Sequence, residues 1–287
     1  MGTQEKNIGG GFRPSSKDIR DFHAAAVFGQ LPVEYIPDHD FIVAEPLGIK
    51  DQRESDLCTA FATCAVLEDH EDVELSPEWF FAKIKELEGS PLEWGADPRT
   101  ACKAAKKFGA LEKKQAPYSL ENEERDFLAE PENWDGDLDG LAYIHHQRSF
   151  FRADTGSYDV FDNIRAAMWK HRDSKSSVFT GCMWRPEWTH AKDGIIPTNY
   201  STAQGFGHAF KLFGQKKING EMYIMAQLSN GTGIGDKGVF YFPREVVNRE
   251  LTYEAWIFLD ADPNEIKQSN WSWWQKVVDW IRKFLKI

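Results

Sequence analysis

The spacing of apolar positions changes character near the middle of the chain. Phe61, Ala62, Ala65 and Val66, followed by polar Asp69, recur at helical intervals from Cys58 and predict a first helix over 58–70. Ser76-Pro77-Glu78 has the form of a capped helix start, with proline at the first helical position, and predicts a second helix through Trp79, Phe80, Ile84 and Leu87. Asp97-Pro98-Arg99 opens a third, ending at Phe108-Gly109. Beyond residue 140 the runs become short and strand-like: Leu141 to Phe151, Val178 to Trp184, Phe206 to Phe213, Met222 to Leu228, Val239 to Phe242 and Ala255 to Leu259, with one helix near Val160 to His171. A helical part followed by a β part predicts an α+β chain.

Three stretches stand apart from this scheme. Residues 1–51 are interrupted by Gly9-Gly10-Gly11, Arg13-Pro14, Leu31-Pro32, Ile36-Pro37 and Glu45-Pro46-Leu47-Gly48, and they lack long helical periodicity. They read as an extended arm strapped across two lobes. Residues 119–140 are acidic and turn-rich, a hinge or insertion between lobes. At the other end, Trp271, Trp273, Trp274, Val277, Val278, Trp280, Ile281, Phe284, Leu285 and Ile287 share one arc of a helical wheel, and Ser272, Gln275, Lys276, Asp279, Arg282, Lys283 and Lys286 share the other. The expected organisation is therefore an arm (1–51), a helical lobe (52–140), a β lobe (141–263) and an amphipathic C-terminal helix (264–287).

Composition adds exclusions. With 287 residues, 41% of them hydrophobic, the chain can bury one large core or two lobes. A net charge of −11 argues against a nucleic-acid partner, because phosphate binding needs a basic face. The polar face of the tail is the exception, cationic in an acidic protein, and it fits a membrane surface, a partner's groove or a docking site on its own domain. No early apolar run reads as a signal peptide and none reaches transmembrane length. Cys58, Cys64, Cys102 and Cys182 show neither CxxC spacing nor the density of a disulfide scaffold. A reducing compartment is expected, so the protein is placed in a cytoplasm or a virion built there, with peripheral membrane association through the tail.

Candidate chemistry begins with Cys58. It follows the polar, turn-like run Asp51-Gln52-Arg53-Glu54-Ser55-Asp56 and Leu57, and starts the first helix. There, unpaired N–H groups and the helix dipole favour an anion, and a free thiol of pKa about 8.5 can fall to roughly 3.5–7.5. Cys64, Cys102 and Cys182 read as small buried hydrophobes. His208, in Gly205-Phe206-Gly207-His208-Ala209-Phe210, is a base candidate on an apolar strand with small neighbours. The remaining histidines do not suggest a metal site: His145 and His146 point to opposite faces of a predicted strand, and His23, His39, His70, His171 and His190 have no chelating companions.

The Asp51-Gln52 … Cys58-Thr59-Ala60 segment resembles the active-site segment of the papain-like cysteine peptidases, in its bacterial and phage branch. Other stretches in family order are the Asp18-Ile19-Arg20-Asp21-Phe22 lead-in, Leu75-Ser76-Pro77, Gly95, Gly109, Pro117-Tyr118 and Gly207-His208-Ala209. His208 lies 150 positions after Cys58, within the spacing known for the family. The resemblance spans about residues 12 to 260 and implies a two-lobe fold with its cleft between lobes. It also implies a protein or peptide substrate, no cofactor, Cys58 as nucleophile, His208 as its base, Gln52 as oxyanion donor, and a substrate-binding position at Gly95.

Several positions depart from the family pattern. Asp56-Leu57 stands where the bacterial branch usually has Gly-Ser, and Thr59 where plant and animal members have tryptophan. Leu228-Ser229-Asn230-Gly231 aligns with the family's Asn-Ser-Trp-Gly, so Leu228 takes the place of the asparagine that orients the histidine. Leucine cannot accept a hydrogen bond from an imidazole. Asn230, two positions on, could substitute if the strand bulges. Two function classes thus remain: an active peptidase, and a catalytically weakened or inactive structural or binding protein on the same scaffold, virion- or membrane-associated.

Overall fold

The computed structural model describes residues 10–90, 93–116 and 138–259. The expected C-terminal helix (264–287) and positions 119–137 of the acidic stretch lie outside the described residues.

The arm carries a short helix, α1 (Ala24–Phe28), and a two-residue strand, β1 (Phe41–Ile42). The first main helix, α2 (Cys58–Glu71), is buried on almost every side and forms the centre of the molecule. Next, α3 (Pro77–Glu88) and α4 (Pro98–Lys107) begin as the caps predict: the Ser76 hydroxyl accepts from the Trp79 N–H at 3.4 Å and the Asp97 carboxylate from the Thr100 N–H at 2.9 Å. Each such cap contributes about 1 kcal/mol.

The first half of the strand expected over 141–151 is instead helical. There α5 (Leu138–Ala142) runs into a 3₁₀ turn, Tyr143–His145, and only Ser149–Arg152 (β2) is extended. Leu141, Tyr143 and Ile144 are exposed, so their apolar run is a surface feature and not a buried strand. Hence His145 and His146 are not strand neighbours. His145 is buried with its Nδ1 3.0 Å from Glu71, and His146 stacks on the Tyr143 ring.

α6 (Val160–Lys170), capped by Asp159, precedes β3 (Val178–Trp184), β4 (Phe206–Ile218), β5 (Glu221–Gln227) and β6 (Val239–Pro243). A seven-residue helix, α7 (Arg244–Glu250), and β7 (Ala255–Leu259) complete the described chain. α7 was not anticipated, since two turns are too short to display a helical period.

The strands form one antiparallel sheet in the order β2-β7-β3-β4-β5-β6, with β1 alongside β4. Phe179, Ala209, Trp256 and Phe258 join the core of α2, α3 and α4 on one face. Val178, Trp184, Phe210, Leu212 and Ile257 join α6 and α7 on the other. This is the expected α+β, two-lobe arrangement, with α2 laid against β4.

Candidate active site

The α2 N-terminus meets the start of β4, and that junction contains the residues singled out by sequence. Cys58 is fully buried at the first position of α2, in one apolar cluster with Ala209, the residue after His208. The Thr59 hydroxyl donates to Ala96 O at 3.1 Å, which ties the same helical turn to the loop before α4. Farther along, the Lys211 ammonium of β4 donates to Asp69 of α2 at 2.5 Å and to Ala65 O at 3.2 Å. Both charges are buried, so removing either partner is expected to cost about 3–5 kcal/mol. This ion pair clamps the cysteine helix to the histidine strand.

The electrostatics of the thiol differ from the expectation. Burial is the largest influence and pushes the Cys58 thiol up to about 12. The Ala209 N–H and Thr59 bonds oppose that rise, and the nearby Asp56 charge adds to it. In this closed arrangement the loss of water outweighs the polar contacts that favour a thiolate. Asp56 has a structural role that its departure from the family pattern did not reveal: its carboxylate accepts from the Gly95 N–H at 2.7 Å, joining the nucleophile loop to the opposite wall.

Gln52 is fully buried beside this turn. Its backbone N–H donates to Ser229 O at 2.6 Å, its side-chain oxygen accepts from the Ser229 hydroxyl at 2.5 Å, and its side-chain nitrogen donates to Ser55 O at 2.7 Å. Ser229, which sequence reasoning passed over, therefore sets the amide's orientation.

The 228–231 segment completes the site. Gly231 N–H donates to Lys50 O at 2.9 Å and Asn230 bridges Asp51 in antiparallel register, so this segment runs beside the one that carries Gln52. Asn230 is buried; Leu228 is buried too, in the apolar cluster of Trp184, Phe210 and Phe240. Gly95 lies in the wall facing the nucleophile loop, with φ of +66°. The His208 ring packs edge-on against Trp184, with Phe206 and Phe210 also near it. Trp184 could have been found only from the register of β3 and β4, in which Cys182 pairs with His208.

All four cysteines are reduced and buried. Among the described residues no group of three histidine, cysteine or acidic side chains could hold a metal ion.

The fold is shared with solved cysteine proteases. Xylellain, a cysteine protease from Xylella fastidiosa, matches with a TM-score of 0.68 over 91% of this chain and 100% of its own, at 19% identity. Digestive procathepsin L 3 of the Tenebrio molitor larval midgut matches at 0.56 over 89% of this chain and 75% of its own, at 14% identity. Bromelain from Ananas comosus, in complex with the E64 inhibitor, matches at 0.55 over 77% of this chain and 99% of its own, also at 14% identity. No family model matches the sequence, and no curated relative does. The likeness establishes the papain-like cysteine protease fold.

Proposed function

We propose that the chain is a papain-like cysteine peptidase acting on protein or peptide substrates. The observation that carries this reading is the packing of Cys58, at the first position of α2, in one buried cluster with Ala209, the residue adjoining His208. In the mechanism, His208 takes the Cys58 proton and the thiolate attacks the scissile carbonyl. The oxyanion is held by the Cys58 N–H and the Gln52 side-chain amide. The imidazolium then protonates the leaving amine, and water, deprotonated by His208, hydrolyses the thioester. No step needs a cofactor.

The test is labelling by a thiol-directed epoxide that requires an activated thiolate, read by mass at each cysteine. The reading expects modification of Cys58 alone and a rate lower by about a hundredfold in His208→Ala, the lower end of what a general base contributes. The competing reading, a non-hydrolytic protein on this scaffold, expects no dependence on His208.

The same reading gives residues 264–287 a separate task, attachment to an anionic membrane surface through the cationic, tryptophan-rich arc pair. The full chain should then co-sediment with vesicles containing anionic lipid, and less so as salt is raised. Equal recovery with neutral vesicles removes the anionic surface from the proposal, and no recovery with either removes the membrane and leaves a partner's groove or a docking site on its own domain.

A further inference from the structure

The strand that carries His208 is fed by residues 185–205, a connection whose regular structure is confined to two 3₁₀ turns, Pro186–His190 and Lys192–Gly194. Arg185 fixes where this connection delivers the chain into β4. Its guanidinium, 8% exposed, donates from Nη1 to Thr202 O and to Gln204 O, both at 3.3 Å, just ahead of His208 in the chain. Gly205 continues the same close path: a Cβ there would stand 2.9 Å from Nη1.

Glu250 holds the guanidinium in turn. It is the last residue of α7, buried, and its two oxygens are divided: Oε2 accepts from Arg185 Nη2 at 2.8 Å and Oε1 from the Tyr200 hydroxyl at 2.7 Å. The exposed Arg249 donates to that same hydroxyl at 2.7 Å. A planar guanidinium offers its donors in fixed directions, so Arg185 sets Thr202, Gln204 and Glu250 relative to one another.

From Tyr200 a run of edge-to-face rings leads back to the site. The Tyr200 ring lies 4.9 Å from Trp188 with planes at 83°, Trp188 lies 5.4 Å from Trp184 at 85°, and Trp184 meets His208. Both indoles are fully buried, so neither tilts without displacing its neighbours. One carboxylate thus reaches His208 by two routes, through the main chain of 202–205 and through the two indoles.

We propose that Arg185 and Glu250 are positioning residues for His208: the pair sets the placement of the imidazole beside Cys58 without touching the reacting atoms. This rests on the peptidase reading of the same site. The experiment uses the full chain as wild type, Glu250→Gln, Arg185→Met, Arg185→Lys and the double variant Arg185→Met/Glu250→Gln. Peptide hydrolysis, the pH dependence of Cys58 alkylation by iodoacetamide and unfolding in urea are measured on each.

Glu250→Gln keeps the shape of the side chain and removes its charge. Its kcat, and that of Arg185→Met, should fall about tenfold with KM little changed, as a small displacement of a reacting group entails. The inflection of Cys58 alkylation against pH should shift in both. Arg185→Lys still reaches Glu250 and should retain more of kcat than Arg185→Met. The double variant should lose no more kcat than the worse single one, because both substitutions break one pair. Unchanged kcat and an unchanged alkylation profile in the single variants overturn the proposal. So do additive losses in the double variant, and so does a fall in kcat that follows lost stability with the profile unmoved. A wild type that hydrolyses no peptide removes the peptidase reading alone; the hold on His208 then stands if the alkylation profile shifts in Glu250→Gln, and falls if it does not.

Discussion

Trp184 stands edge-on to His208, their ring centroids 5.8 Å apart and their planes at 71°, although the two residues lie on different strands. Cys182 is the cross-strand partner of His208, and Trp184 is two residues further along the same face, within diagonal reach. The indole is itself fixed: its N–H donates to the Thr189 hydroxyl at 3.2 Å, and Phe240 meets it at 5.1 Å with planes at 88°. The imidazole therefore has an aromatic wall from β3, whereas position 230, where the family resemblance places a tryptophan, is asparagine. In the Trp184→Phe variant the Thr189 bond is lost and the wall recedes. Turnover should fall about tenfold with KM little changed, since a small misplacement of a reacting group can cost up to 10²-fold. The pH dependence of Cys58 alkylation should move as well, an effect that mere loss of stability does not produce.

Gln52 and Ser229 form a second pair open to test. Gln52→Ala should lower kcat by roughly 10²–10³ if the oxyanion donor is lost. Because the substitution also deprives the Ser229 hydroxyl and the Ser55 carbonyl of a buried partner, it should reduce stability by about 1–3 kcal/mol per stranded group. The family resemblance implies a catalytic role for Gln52; its buried bonds to Ser229 and Ser55 give it a structural one as well. Ser229→Ala separates them. It removes the bond that orients the amide while leaving the amide in place, so kcat should drop with KM unchanged and with a smaller stability loss than Gln52→Ala. Urea denaturation and steady-state kinetics on both variants check this.

Leu228 invites the substitution that restores the family's asparagine. In the sequence it looks like a missing acceptor for His208. In the fold its side chain is 1% exposed among Trp184, Phe210 and Phe240. An amide placed there without partners costs about 1–3 kcal/mol. Leu228→Asn should thus destabilise the protein without raising kcat/KM. A gain in kcat/KM would show that an acceptor was the missing element after all.

What the sequence disclosed follows from the range of each signal. Ser76 and Asp97 cap the helices they precede, so the starts of α3 and α4 were readable within four residues. The period of α2 placed Cys58 at the start of that helix, whereas the spacing from Cys58 to His208 carried weight only through the family resemblance. Contacts that depend on register or on distant chain segments were silent. Trp184 reaches His208 only through the pairing of β3 with β4, and Gly11 meets Asp56 only because the arm crosses the cleft. The run at Leu141, Tyr143 and Ile144 misled because local hydrophobicity does not distinguish a buried strand from an exposed helical turn. Burial reversed the expected direction for the Cys58 thiol for the same reason: helix position is local, and desolvation is set by everything packed around it.

The anchorage of the arm should be sensitive to acid through His171. This residue follows α6, and its ring meets Phe28 of α1 edge-on, with centroids 5.1 Å apart. Burial, with a smaller contribution from the Lys170 charge, lowers its pKa from 6.5 to about 4. The neutral ring is thus favoured in the folded protein, while the unfolded chain takes up a proton near 6.5. Between these values the unfolded state binds more protons, so stability falls as pH drops from about 6.5 to about 4 and is unaffected by this group above 6.5. The full loss is about 3 kcal/mol, from 1.36 kcal/mol per pKa unit. His171→Leu keeps an apolar contact with Phe28 and removes the titration. The difference in unfolding free energy between wild type and His171→Leu, measured in urea at pH 7, 6, 5 and 4, should shift against wild type across this window. A constant difference would mean that the ring is hydrated enough to protonate in place, and that α1 is held by Lys170, whose ammonium donates to Phe28 O and to Gly29 O.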